Sequence, residues 1–254
     1  MTDLNSQGAA DSFISHLVEL RDRLVKASIG IAIVCAALFA WPGPSAIYDF
    51  LAQPMIASLP AGAKMIATGV ISPFLVPMKV TLLVAFMLAL PWVLYQAWAF
   101  IAPGLYTHEK RLVAPLVISS SLLFLSGVAF CYFFVFGRVF KFINEFAPTS
   151  ITVAPDIENY LDFIMSMCLA FGMTFEVPIV VVVLVRMGLV PIEKLRAIRP
   201  YVIVGAFVIA AVVTPPDIVS QFSLAVPMCI LYELGLLVAP IFSRITQAPD
   251  ELAD

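Results

Sequence analysis

The chain consists of long apolar runs separated by short polar segments. A membrane-spanning helix needs about 20 mostly apolar residues, and six runs approach or exceed that length. They predict six transmembrane helices at residues 25–41, 75–101, 112–136, 161–185, 200–213 and 218–238. The fifth run is short, which predicts either a locally thinned bilayer or a helix that begins deeper in its loop. The pattern therefore predicts an all-α integral membrane protein.

Composition supports the same fold class. The chain has 254 residues, of which 62% are hydrophobic and only 12% are charged, and its mean hydropathy is +1.03. A soluble chain carries about 25% charged residues, roughly twice the fraction found here. No segment is left over for a sizeable soluble domain, so we expect one membrane domain over residues 1–254.

The distribution of lysine and arginine predicts the orientation of the six helices. Ten of these residues fall on the side that holds both termini and four on the other side. Because positive residues collect on the cytoplasmic side, both termini are expected in the cytoplasm. The domain then divides into a cytoplasmic amphipathic segment at 1–24, a membrane region at 25–242 and a short cytoplasmic tail at 243–254.

Two connections on the opposite side, residues 42–74 and 137–160, are too long for simple hairpins. Both are expected to fold as short caps. Within the first connection, apolar residues recur at helical spacing and predict an interfacial helix; they are Ile47, Phe50, Leu51 and Met55. Pro54 lies in the same connection, where a helix-breaking role is expected of a proline.

The sequence also excludes several classes of function. It has no basic stripe with interleaved aromatic residues, so nucleic-acid binding is not expected. The four cysteines fall in four separate apolar runs without a metal-binding spacing, and we expect neither metal nor cofactor. Both histidines lie outside the predicted spans, which leaves no base for an intramembrane protease. The chain is therefore not expected to be an enzyme.

Two carboxylates near the predicted cytoplasmic side admit more than one interpretation. Glu19 and Arg23 are four residues apart on an amphipathic helix whose apolar face is formed by Phe13, Leu17, Leu20 and Leu24. An exposed pair of this kind is worth only a few tenths of a kcal/mol. Glu109 near the start of the third helix is equally explained by the helix dipole. Taken alone, both residues are ordinary surface groups.

Glu176 lies inside the fourth predicted span, where a charge costs about 2.5 to 3.5 kcal/mol on insertion scales. It is expected to be protonated, to face a polar cavity or to bond a neighbouring helix. A residue of this kind would also suit an ion-coupled transporter or channel for small molecules, which is the alternative function. Thr214, Asp217 and Gln221 form a polar group beside a Pro-Pro turn, where Asp217 is suited to cap the sixth helix.

Five segments of the chain carry a resemblance to a known family. In order along the chain they are HLVELRDRL at 16–24, ATGVISPF at 67–74, YQAWAFIAPGLYTHEKR at 95–111, FGMTFEVP at 171–178 and RPYVIVGAFVIAAVVTPPD at 199–217. Their content and order resemble the TatC family, the receptor subunit of the twin-arginine protein translocase. At Gly137 and Arg138 the sequence departs from many relatives, which have proline there, and this predicts a different end of the third helix.

The resemblance implies a fold and a function. The fold is a cupped arrangement of six helices with short fifth and sixth helices and structured periplasmic caps, in the bacterial inner membrane. The function is a non-enzymatic receptor that binds Arg-Arg signal peptides of folded export proteins. It would also assemble with TatA- or TatB-type single-span partners and with further copies of itself, and the proton-motive force would drive transport.

The resemblance also implies roles for individual residues. Those matching the signal-peptide site of the family are Glu19, Leu20, Arg21, Phe100 and Glu109. Those matching intramembrane or partner-facing positions are Glu176, Thr214, Asp217 and Gln221, and Pro54 matches a position in the first outer loop. Carboxylates suit this recognition because a guanidinium presents a rigid planar fork that lysine lacks.

Overall fold

The fold is known from a computed structural model. It describes residues 2–59, 64–101, 113–146, 148, 154–214 and 217–244, with residues 2–13, 113 and 242–244 described by their backbone alone. The helices are α1 (Thr2–Ala40), α2 (Pro44–Ile56), α3 (Ser72–Ile101), α4 (Val113–Phe130), α5 (Phe136–Phe146), α6 (Ile157–Phe175), α7 (Val177–Arg186), α8 (Ile192–Ala197), α9 (Arg199–Val213) and α10 (Ile218–Arg244). A π-helical turn, Cys131–Val135, joins α4 to α5. The predicted all-helical fold class is confirmed.

Within the part of the chain that the structure describes, five helical stretches are long and apolar enough to cross a membrane. They are Ile14–Ala40, Ser72–Ile101, Ala114–Phe146, Ile157–Arg186 and Ile218–Ile241. The remaining predicted span corresponds to α9, which has 15 residues and is therefore about 22 Å long. Its shortness agrees with the prediction for the fifth run.

The prediction of a short sixth helix is wrong. Helix α10 has 27 residues and continues through both Pro227 and Pro240. Proline removes one backbone hydrogen bond, but neighbouring helices can satisfy the freed groups inside a membrane protein. Helix α10 packs against α6, α7, α8 and α9, and this packing keeps it continuous.

The third predicted span extends further than its apolar run. The helix passes through the π-helical turn and Gly137 and ends only at Phe146. Helix α5 buries Phe136, Val139 and Phe140, which recur at the spacing of one helical face. The second long connection is accordingly shorter than the predicted 137–160, because packing extends the helix where the apolar run stops.

The fourth predicted span is interrupted at Glu176. Helix α6 ends at Phe175 and α7 begins at Val177. Pro178 lies in the first turn of α7. It lacks the N–H that would bond the carbonyl of Thr174, and its ring crowds that carbonyl. The local sequence thus places Glu176 at a helix junction rather than inside a continuous helix.

The chain forms two compact units. The first unit comprises Met1–Pro44 and Thr81–Ser121, and the second comprises Ser45–Val80 and Leu122–Asp254. In the second unit, α10 is the helix against which α7 and α9 pack most extensively. The largest fully buried side chains of this unit include Phe136, Phe171, Leu161, Met167 and Leu224.

Candidate functional site

In the first unit, one face of α1 packs against α3. This packed face of α1 is defined by residues that recur every three or four positions: His16, Glu19, Arg23, Ala27 and Gly30. Ala27 is only 7% exposed. The packed face is therefore built from small and polar residues rather than large apolar ones.

Trp92 of α3 fixes the two helices at the Gly30 end of this face. Its indole Nε1 donates a hydrogen bond of 2.9 Å to the carbonyl of Lys26. A Cβ on Gly30 would lie 2.3 Å from Cδ1 of the Trp92 ring. Only glycine leaves room for the ring at this point, so Gly30 and Trp92 together set the approach of α1 to α3.

Glu19 is held by a guanidinium from its own helix. Arg23 donates from Nε and from Nη2 to Oε1 of Glu19, at 2.9 and 2.6 Å. The side chains are 24% exposed for Arg23 and 36% for Glu19, which makes the pair half-buried. Glu19 therefore already has a geometry that accepts two bonds from one guanidinium.

One helical turn before Glu19, an aromatic contact joins the same two helices. The rings of His16 and Phe100 stack with their centroids 4.3 Å apart and their planes 25° apart. Two residues before Phe100, Trp98 donates from Nε1 to Oγ of the buried Ser120, at 3.1 Å. Helix α3 is thus bonded to α1 through Trp92 and to α4 through Trp98.

The predicted amphipathic pattern of the N-terminal segment is present in the structure. Leu17, Leu20 and Leu24 are 48%, 44% and 65% exposed, whereas Glu19 and Arg23 are half-buried against each other. The segment is continuous with the first span in α1 rather than a separate helix along the surface. Lipid accommodates the exposed leucines, because lipid tails are as apolar as leucine.

Two further residues of the predicted peptide site have different outcomes. Arg21 pairs with Asp22 at 2.9 Å, and its side chain is 71% exposed. Glu109 lies outside the described residues. Of the predicted set, the structure brings Glu19 and Phe100 to one packed end of the first unit and leaves Leu20 and Arg21 exposed on the same helix.

Glu176 is the residue at which α6 passes into α7. Its backbone N–H donates to the carbonyl of Met173 at 3.1 Å. Its own carbonyl accepts from the N–H groups of Ile179 and Val180, both at 3.0 Å. The residue is half-buried. It thus combines a helix junction with an acidic side chain inside a stretch long enough to span a membrane.

Thr214, Asp217 and Gln221 have local structural partners. Oδ1 of Asp217 accepts from the N–H of Ser220 at 2.7 Å, which confirms the predicted cap of α10. The hydroxyl of Thr214 donates to the carbonyl of Ala210 at 2.8 Å. The Gln221 side-chain amide donates to the carbonyl of Phe207 at 3.3 Å. Thr214 and Asp217 therefore stabilise the adjoining ends of α9 and α10, and Gln221 links the two helices.

Pro54 lies in the last turn of α2, and the predicted helix in the first connection is confirmed. The proline lines an open groove of about 480 Å³ together with residues of α5 that include Gly137, Lys141 and Glu145. Beside it, the side-chain amide of Asn144 donates to the carbonyl of Ser58 at 2.8 Å. Pro54 thus borders a groove whose lining also includes Ser58 and Asn144, the two residues that this bond joins.

The structure also reveals a polar network that the sequence analysis did not identify. This loop cluster consists of Thr68, Ser72, Lys79, Asp156 and Glu158. Oδ2 of Asp156 accepts from the N–H and the hydroxyl of Thr68, at 3.0 and 2.7 Å. The Ser72 hydroxyl donates to Oε2 of Glu158 at 2.7 Å, and Nζ of Lys79 lies 3.6 Å from Oε1 of that residue. The cluster ties the first long connection to the start of α6.

Asp156 serves two purposes in the loop cluster. Its Oδ1 caps α6 by accepting from the N–H groups of Glu158 and Asn159, at 2.9 and 3.1 Å. Hydrogen bonds from Thr68 and from the helix N-terminus lower the pKa of this carboxyl from 3.8 to about 2. The capping role could have been predicted from the sequence, since an aspartate before an apolar run is a typical helix cap.

A second unpredicted contact joins α9 and α10. Nη2 of Arg199 lies 2.7 Å from Oε2 of Glu233, and the neighbouring Tyr232 donates to the carbonyl of Leu195 at 2.8 Å. The two residues of each contact are 34 and 37 positions apart in the sequence, respectively. Helical periodicity in the sequence could therefore not have predicted either contact.

Comparisons with known proteins decide the family. Residues 15–227 match the family model described as the Sec-independent protein translocase protein TatC. The chain belongs to the TatC family. The Haemophilus influenzae TatC protein is 50% identical over 229 residues, covering 90% of this chain and 89% of the relative. The Escherichia coli K12 TatC protein is 49% identical over 233 residues, covering 91% and 87% of the two chains.

Solved structures agree with the TatC assignment. A crystal structure of the twin arginine translocase receptor TatC matches with a TM-score of 0.77 and 36% identity, covering 89% of this chain and 98% of that one. A second crystal structure of the receptor, in the detergent DDM, matches with a TM-score of 0.78. The chain is thus a multi-pass inner-membrane subunit of the Sec-independent protein translocase, a family of receptor subunits and not of enzymes.

Proposed function

We propose that this TatC-family chain is the receptor that binds Arg-Arg signal peptides of folded export proteins at the cytoplasmic face of the membrane. It then assembles a translocon with TatA- and TatB-type single-span partners and with further copies of itself. The proton-motive force drives transport. Glu19 and Glu109 bind the paired arginines, and Leu20, Arg21 and Phe100 complete the site.

The observation that carries this proposal is the environment of Glu19. Its carboxylate lies on the packed face of α1, half-buried, and accepts two hydrogen bonds from the guanidinium of Arg23. A carboxylate in this setting is suited to a planar guanidinium fork, which lysine cannot reproduce. The Phe100 ring, which stacks on His16 one turn before Glu19, offers an apolar or cation–π surface for an arginine or for an apolar residue of the peptide.

The proposed topology has six spans, with α9 as the fifth and with both termini in the cytoplasm. The uneven distribution of basic residues supports this orientation. In this topology α2 and the loop cluster form the periplasmic caps, and the six helices adopt the cupped arrangement of the family. The connections that form these caps already share hydrogen bonds in the second unit.

Four residues are proposed to contact partners within the membrane. Glu176 lies at the junction of α6 and α7, where a polar side chain meets an otherwise apolar stretch. The remaining three are Thr214, Asp217 and Gln221 at the turn between α9 and α10. Partner helices pack against this edge. Pro54 is proposed to support the first cap, beside its groove.

Peptide binding to the purified protein in nanodiscs tests the receptor function. A twin-arginine signal peptide is compared with the same peptide carrying Lys-Lys, on the wild type and on Glu19→Ala and Glu109→Ala. Each charge-assisted contact is worth about 1.5 to 3 kcal/mol net, so each variant is expected to lose roughly tenfold or more in affinity. The Lys-Lys peptide is expected to bind at least tenfold more weakly than the Arg-Arg peptide on the same grounds.

Glu145→Gln is the matched control for these variants. Glu145 also pairs with a basic residue four positions away on its own helix, since Nζ of Lys141 lies 3.8 Å from Oε1 of Glu145. This pair lies on an exposed face of α5. Its removal is expected to leave peptide affinity unchanged. Equal binding of both peptides, with Glu19→Ala behaving as Glu145→Gln does, would remove the receptor function and leave ion-coupled transport through Glu176 to be tested.

A further inference from the structure

Both described recognition groups of the proposed site are engaged by the chain itself. Glu19 accepts from Nε and Nη2 of Arg23, and Phe100 is stacked by His16 at 4.3 Å. His16, Glu19 and Arg23 follow one another along the packed face of α1. An arriving arginine would therefore meet a carboxylate that already binds a guanidinium and a ring that already stacks on His16.

The pairing of Arg23 differs from that of its basic neighbours. Arg21 pairs with the adjacent Asp22, and that pair is largely exposed at 71% and 51%. Lys26 is exposed, and its contact with α3 is made by its backbone carbonyl. Among the described basic residues of α1, it is Arg23 that pairs with the Glu19 carboxylate. It presents two of its N–H donors there, both to Oε1.

We propose that Arg23 is an internal competitor for Glu19 and sets the affinity threshold of the signal-peptide site. This inference rests on the proposed receptor function. Binding becomes an exchange, in which the peptide arginine replaces Arg23 on the carboxylate and the peptide displaces His16 from Phe100. The exchange keeps Glu19 satisfied when no peptide is bound, since an unpaired half-buried carboxylate would be costly.

The competition has a defined thermodynamic form. When only the open fraction of a site binds ligand, the observed affinity falls by that fraction for every ligand alike. Arg23 therefore weakens Arg-Arg and Lys-Lys peptides by the same factor and leaves their ratio unchanged. At a fixed peptide concentration this lowers the occupancy by both peptides, and the occupancy by the weaker Lys-Lys peptide remains the lower of the two.

The variant Arg23→Gln removes the competitor, and its effect is read as peptide affinity in nanodiscs. A half-buried ion pair of this type holds the site closed by about three- to tenfold. We expect both peptides to bind about three- to tenfold more tightly, with the Arg-Arg to Lys-Lys ratio preserved. Arg23→Lys keeps the charge but loses the fork, and its affinity is expected to fall between those of the wild type and Arg23→Gln.

Lys26→Gln is the control for charge, because it removes one positive charge from the same helix without touching Glu19. If Arg23→Gln gains no more affinity than Lys26→Gln, or binds more weakly than the wild type, the competitor role is wrong. Arg23→Lys provides the same test should Arg23→Gln not fold, because an affinity at or below that of the wild type overturns the proposal. A wild type that fails to prefer the Arg-Arg peptide would instead overturn the receptor function, and the competitor role with it.

Discussion

Substitution of Gly30 by alanine tests whether the contact between α1 and α3 positions the peptide site. Gly30 faces the Trp92 ring, and an added Cβ would lie 2.3 Å from Cδ1 and 2.7 Å from Nε1. The same ring donates to the Lys26 carbonyl through Nε1. The extra methyl group therefore meets a side chain that is already fixed by a hydrogen bond.

The size of the effect follows from the geometry. Carbon atoms pack at about 3.5 Å or more, so the ring has to move by roughly 1.2 Å from its position at 2.3 Å. Overpacking of this kind costs typically about 1–3 kcal/mol. Movement of the ring also lengthens its bond to α1, and it shifts α3 under the stack of His16 and Phe100. We expect lower thermal stability and weaker peptide binding together.

Thermal unfolding in detergent and peptide affinity in nanodiscs are the two measurements. Gly205→Ala is the control, because a Cβ at Gly205 would meet nothing within 4 Å and alanine is the better helix former. Gly205→Ala is expected to be at least as stable as the wild type. Wild-type stability and affinity for Gly30→Ala would show that Trp92 does not fix the two helices.

Three further predictions concern the second unit. Because the pKa of Asp156 is lowered from 3.8 to about 2, its stabilising effect is complete above pH 4 and is lost as the pH falls toward 2. Asp156→Asn should flatten that part of a plot of thermal stability against pH. Gly172→Ala, whose Cβ would lie 2.4 Å from an aromatic ring, should lose about 1–3 kcal/mol in denaturant unfolding. Gly137→Ala, which faces open space, should lose none. Because both side chains of the Arg199–Glu233 pair are more than 40% exposed, Glu233→Gln should lower the free energy of unfolding by at most about 1 kcal/mol. A double-mutant cycle with Arg199 should give a coupling energy of the same size.

The positions of the membrane helices were predictable because an apolar run of sufficient length has few other solutions. Their ends were less predictable, for a physical reason. Helix α5 continues to Phe146 and α10 continues past Pro240 to Arg244, since packing against other helices stabilises residues that lie beyond the apolar run. The hydropathy of a segment indicates whether it prefers lipid or water, but it does not indicate the helices against which the segment packs.

The N-terminal segment shows which part of an amphipathic pattern is predictable. Helical spacing places Glu19 and Arg23 on a different side of α1 from the leucines, and the structure keeps this separation, since Leu24 is 65% exposed and Arg23 is 24% exposed. Lipid accepts the leucine, and Glu19 pairs with the arginine. Spacing alone does not identify the residues of α3 that contact this segment, such as Phe100 against His16.

Capping interactions and long-range pairs differ in what a sequence reveals. Asp217 was predicted as a cap from its position before an apolar run, and its bond to the N–H of Ser220 confirms this. Asp156 has the same local signal and makes the same local bonds. Its bonds to Thr68 join positions 88 residues apart, so they depend on how the connections meet and not on any spacing. The sequence thus predicts the helix cap that Asp156 makes, but it does not predict the hydrogen bonds from Asp156 to Thr68. Loss of its charge should weaken both at once, whereas Thr68→Val should remove the link donated by its hydroxyl and leave the cap of α6 intact.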